Sequence, residues 1–71
     1  MISTGAKVRF CPHFDRKEYD TPAEQRAKAV TGRISYVNWN HRVFTVEYES
    51  GGTTQVEAFK FFDIGNVVTI C

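Results

Sequence analysis

Arg33, Tyr36, Trp39, His41 and Arg42 crowd into one short stretch, so two guanidinium groups and an imidazole flank two aromatic rings. Such a mixture suits a flat, anionic ligand, because a base stacks on an aromatic face while a guanidinium forks onto phosphate. These five residues form the candidate ligand-binding set. Trp39 falls in Asn38-Trp39-Asn40-His41, which reads as a turn because Asn adopts left-handed backbone cheaply. A turn is a poor place to bury an indole. Trp39 is therefore expected either to stand out as a stacking platform or to fold back over the end of the domain.

Other chemistry finds less support. Cys11, His13, His41 and Cys71 offer two thiols and two imidazoles, a donor set that zinc accepts. The Cys11-Pro12-His13 spacing is poor for a metal, and cysteine often serves as a small buried hydrophobe. No metal or other cofactor is expected. Glu47, Glu49 and Glu57 fall on alternating strand positions, where outward carboxylates stay solvated and ordinary rather than splitting into an acid and a base. No nucleophile–base pair or phosphate-cradling glycine loop accompanies them, so catalysis is not expected.

The elements that would position these residues follow from side-chain alternation. Lys7-Val8-Arg9-Phe10-Cys11 reads as a strand stopped by Pro12, with Val8 and Phe10 inward. From Pro12 to Ala29 the chain turns charged and aperiodic. There His13, Arg16, Lys17, Tyr19, Arg26 and Lys28 interleave with Asp15, Glu18, Asp20 and Glu24, the pattern of a solvated, salt-bridged surface. Thr21-Pro22-Ala23-Glu24 offers an N-cap, a proline at the first helical position and a glutamate at the third, predicting a helical turn or two. Phe14 and Tyr19 are expected to pin this long loop to the sheet.

Val30 to Val37 reads as a second strand with Ile34 and Tyr36 on one face, and Gly32 marks a bulge or a close backbone approach. Arg42 to Glu49 alternates well, with Phe44, Val46 and Tyr48 on one side. Ser50-Gly51-Gly52-Thr53 signals a hairpin. Thr54 to Phe59 follows, read with Val56 and Ala58 inward and Gln55, Glu57 and Phe59 outward. Phe61 to Gly65 is a tight turn, and Asn66 to Cys71 a closing strand.

A chain of 71 residues makes one domain, spanning 1–71, with a thin core. The net charge is +1, from nine Lys/Arg against eight Asp/Glu, which disfavours a general nucleic-acid binder because each neutralised phosphate needs a cation. Met1 to Gly5 lacks the look of a signal peptide, and no apolar run matches a bilayer span, so a cytoplasmic setting with reduced thiols is expected.

Five short strands, a long loop after the first and a one-turn helix before the last resemble the all-β, five-stranded SH3-like barrel. That resemblance implies that the first and last strands pair, bringing together the strands that end in Cys11 and Cys71. A proline-peptide groove is not implied, because the loop offers only Phe14 and Tyr19 for it. The stretches Lys7-Val8-Arg9-Phe10, Val30-Thr31-Gly32-Arg33-Ile34, His41-Arg42-Val43-Phe44-Thr45-Val46-Glu47-Tyr48 and Phe59-Lys60-Phe61-Phe62-Asp63-Ile64-Gly65 further resemble small hypothetical proteins of Firmicutes phages and mobile elements. This likeness implies a phage setting and a non-enzymatic role. The expected function is occupancy: inhibiting or sequestering a host factor, such as a nucleotide signal or an anti-phage defence protein. A nucleic-acid-binding barrel and a virion-associated structural module are the alternatives. Phe59, Phe61 and Phe62 crowd a barrel already holding Phe10, Phe44, Tyr36 and Tyr48, so a homo-oligomer is expected to cover the surplus.

Overall fold

A computed structural model describes residues 2–71. The elements run β1 (Lys7–Phe10), a 3-10 turn (His13–Asp15), α1 (Pro22–Ala27), β2 (Val30–Asn38), β3 (Val43–Ser50), β4 (Thr53–Lys60), a second 3-10 turn (Phe61–Asp63) and β5 (Val68–Ile70). The strands form one antiparallel sheet in the order β4-β3-β2-β1-β5. β1 pairs with β5 as expected, Val8 opposite Ile70 and Phe10 opposite Val68. The closing strand is shorter than expected, because Asn66 and Val67 donate back to Asp63 and belong to the turn.

Alternation puts Val8 and Phe10 of β1, Ile34 of β2, Phe44, Val46 and Tyr48 of β3, Phe59 of β4 and Val68 of β5 on one buried face. Phe10 sets its edge against Tyr48 at 5.1 Å and against Phe59 at 5.4 Å. Edge-to-face pairs of this kind each add about 1 kcal/mol beyond their buried area. Gly32 lies where a Cβ would meet the Glu47 carbonyl oxygen at 2.6 Å, so β2 and β3 approach as closely as they do because the side chain there is hydrogen.

Two expected faces are reversed. On β4 the register sets Gln55 opposite Tyr48, Glu57 opposite Val46 and Phe59 opposite Phe44, so these residues point inward. Val56, 62% exposed, and Ala58 point out. On β2 the register slips between Ile34 and Tyr36, leaving Ser35 as an extra residue whose hydroxyl shares a 2.9 Å hydrogen bond with that of Thr45. This bulge re-phases the strand. Ile34 stays in the core, Val37 packs against it, and Tyr36 turns outward.

No ladder joins β4 to β5, so the sheet is open between its two edges. The chain leaving β1 lies toward this gap. Pro12 and Cys11 are buried, the His13 N–H donates to Glu57 Oε1 at 2.8 Å, and the Arg16 guanidinium sits 5.9 Å from the Phe59 ring centre. Arg16 also donates to the Cys11 carbonyl at 3.1 Å. Phe14 and Tyr19 do not pin the loop as expected; both are exposed, and backbone and charged groups hold it instead. Thr21 caps α1 as its sequence implies, accepting the Glu24 N–H at 3.1 Å.

Candidate ligand-binding site

The β2–β3 turn, residues 39–42, and the segment leaving β4 meet at one end of the sheet. The Phe61 N–H donates to the Arg42 carbonyl at 2.9 Å, and Val43 stands opposite Lys60 in the ladder. Between them lies an open depression of about 840 Å³ lined by Trp39, His41, Arg42, Val43, Lys60, Phe61 and Phe62.

Each aromatic wall has a structural cause. Trp39 follows the last residue of β2, beyond the reach of the core, and is 61% exposed. Its ring rests edge-on against half-buried Phe61 at 5.2 Å, so it neither folds away completely nor stands free. Phe62 is 69% exposed because the 3-10 turn that buries part of Phe61 rotates its neighbour outward. The Lys60 ammonium lies 5.7 Å from the Phe62 ring centre, within cation–π reach. The Lys60 N–H donates to Asp63 at 3.0 Å, which locks the turn.

Asn38 closes the β2–β3 turn by accepting the His41 N–H at 3.1 Å. The left-handed residue is not an asparagine, as expected, but Arg42, with φ 55°. A non-glycine residue held there is strained, and such strain gathers at binding sites.

Three of the five candidate residues, Trp39, His41 and Arg42, line the depression. Arg33 does not. It lies roughly 20 Å back along the strand from Trp39, with its guanidinium on the Gly5 carbonyl at 3.2 Å. Tyr36 is exposed on the outer face opposite Thr45, outside the lining. Lys60, Phe61 and Phe62 were missed as partners of the turn. Their signal was an aromatic pair beside a lysine, but the meeting of two distant segments depends on strand register. The zinc donor set is also dispersed: β1 and β5 run antiparallel, so Cys71, whose N–H donates to Lys7, sits at the opposite end of the pair from Cys11.

The lining combines three aromatic rings, a guanidinium, an ammonium and an imidazole, with no carboxylate among the residues named. It can receive a planar apolar group on its rings and an anion at its rim. Among the described residues no helix is long and apolar enough to cross a membrane. Comparison with family models, curated proteins and solved structures finds no match to this chain.

Proposed function

We propose that the protein is a non-catalytic binding module of the SH3-like barrel type, and that it acts by occupancy on a nucleotide-like anion. Trp39, Phe61 and Phe62 receive the base, and Arg42, Lys60 and His41 receive the phosphate. The observation that carries this reading is the open aromatic depression whose lining is cationic in a chain of nearly balanced charge. The strand order β4-β3-β2-β1-β5, with first and last strands adjacent, supports the barrel type, the chain leaving β1 serving as its stopper. The resemblance to phage proteins supports a role in the host cytosol, sequestering a signal or blocking a defence factor.

A general nucleic-acid binder fits less well, because nine Lys/Arg against eight Asp/Glu leave a net charge of only +1 and Glu47 and Glu49 stand exposed on the outer face of β3. The test is a thermal-shift screen with cyclic and linear nucleotides, followed by calorimetry on Trp39→Ala and Lys60→Ala. A nucleotide should raise the melting temperature, and each variant should weaken binding roughly tenfold or more, the loss of one stacking or charge-assisted contact. No shift with any nucleotide overturns the small-ligand reading. A response to single-stranded oligonucleotides that falls steeply with salt would favour the nucleic-acid reading instead.

A further inference from the structure

The two edges of the sheet are unequal. β5 has three residues, a length that offers little template for another strand. β4 has eight, Thr53–Lys60, with neither proline nor bulge; its outer face carries no charge before Lys60, and its one inward charge, Glu57, is already engaged by the His13 N–H and by Arg16. A long, regular edge whose inward charge is already paired is a template for another chain.

The hydrogen-bonding parity of this edge follows from its turn. Gly51 and Gly52, with φ 59° and 78°, make a two-residue turn closing on the Ser50–Thr53 pair. Such turns close on a hydrogen-bonded pair, and pairs alternate from there. Thr53, Gln55, Glu57 and Phe59 therefore spend their backbone groups on β3, and Thr54, Val56, Ala58 and Lys60 aim theirs at the free edge. Two observations agree. The Phe61 N–H, of the first parity, bonds to Arg42 of the β3 side, whereas the Lys60 N–H, of the second, is satisfied by Asp63.

We propose that a second copy of this chain pairs with this edge, β4 antiparallel to β4 about a two-fold axis at Val56. In that register Val56 faces its own copy and Thr54 faces Ala58, so every outward backbone group between Thr54 and Ala58 meets an outward group of the partner. Two bonds at Val56 and two in each Thr54–Ala58 pairing make roughly six. On the inner face Gln55 comes opposite Glu57, whose carboxylate already holds the His13 N–H. Shifting the two-fold to Glu57 would set two carboxylates against each other, and shifting it to Gln55 or Ala58 would forfeit bonds, since the Lys60 N–H is already engaged. Exposed Val56 is thereby covered by its own copy. The same register brings the partner's Gly52 beside Lys60, at the mouth of the depression. Pairing stands independently of the ligand reading, yet it would place each candidate site at a junction of two copies.

The test is the mass of the full chain by sedimentation from micromolar to millimolar concentration, for the wild type, Val56→Pro, Val56→Lys and Thr69→Lys. The Val56 N–H takes no part in the β3 ladder, so proline there removes intermolecular bonds while leaving the hairpin, as circular dichroism should show. Lysine at the two-fold brings like charges together and carries the test if the proline variant misfolds. The expected result is a wild-type dimer that both Val56 variants weaken roughly tenfold or more and that Thr69→Lys on β5 leaves intact. A wild type monomeric throughout, or a dimer indifferent to both Val56 variants, overturns the proposal. Nucleotide affinity measured on the Val56 variants separates failure of the dimer from failure of the ligand site.

Discussion

Arg42 occupies a backbone conformation for which glycine or asparagine is the usual occupant, and it does so at the rim of the depression. Glycine at this position should raise folding stability by up to about 1 kcal/mol by relieving the left-handed strain. The same change should lower nucleotide affinity, because it removes a guanidinium. Opposite signs in a denaturant titration and a binding isotherm on Arg42→Gly are the expected pair; a loss of stability would show that the Arg42 side chain supports the fold instead. The chemistry at this scale was legible in part. Trp39, His41 and Arg42 announce themselves as a cation–aromatic turn, but Arg33 and Tyr36 shared it in the sequence alone. The bulge at Ser35 and the length of β2 separate them from it in space.

Among the elements, the five strands and the capped helix could be read from alternation, Gly-Gly and Thr-Pro-x-Glu. The facing of β4 could not. Val56 and Ala58 look like interior residues and Glu57 like an exterior one, yet the Glu57 carboxylate turns inward to receive the His13 N–H beside Arg16. That partnership spans most of the chain and leaves no local pattern. The α1 segment, six residues long, is too short to persist alone and depends on such ties. Lys28 donates to Asp20 at 2.8 Å and to the Asp15 carbonyl at 3.1 Å. The Lys28 hydrogen bond, and after it the Lys17 N–H, holds the Asp20 carboxyl below its ordinary value of 3.8. A depressed carboxyl contributes stability that is present above 3.8 and lost as pH falls through the lower folded value. Acidification through that window should lower the protection of the Lys28 and Ala29 amides, measured against their intrinsic exchange rates, before the sheet is affected. Asp20→Asn should lower that protection already at neutral pH and remove its dependence on acid; protection that persists in this variant would disprove the tie.

At the scale of the whole molecule, the pairing of β1 with β5 was implied by the resemblance and is present, whereas the closure was not legible, because whether two edges meet depends on how strongly the sheet coils, and no local signal records that. The antiparallel β1–β5 pairing also sends the two cysteines to opposite ends and gives them different fates. Cys11 is buried, and burial, reinforced by Asp15, pushes its thiol upward and keeps it protonated. Cys71 is exposed. A thiol reagent at neutral pH should therefore modify one cysteine per folded chain quickly and the second only as fast as the domain unfolds, with Cys71→Ser abolishing the fast phase. Two equally fast thiols would mean that the exit from β1 opens freely. The bulge at Ser35 has a longer reach than its single residue suggests. By shifting the beat of the strand halfway along, it uncouples the vocabulary of the rim from that of the interior. Exposed positions beyond it can change to suit a new occupant while Val37 and the residues before it keep the domain folded, so specificity at this end of the molecule can drift without threatening the scaffold.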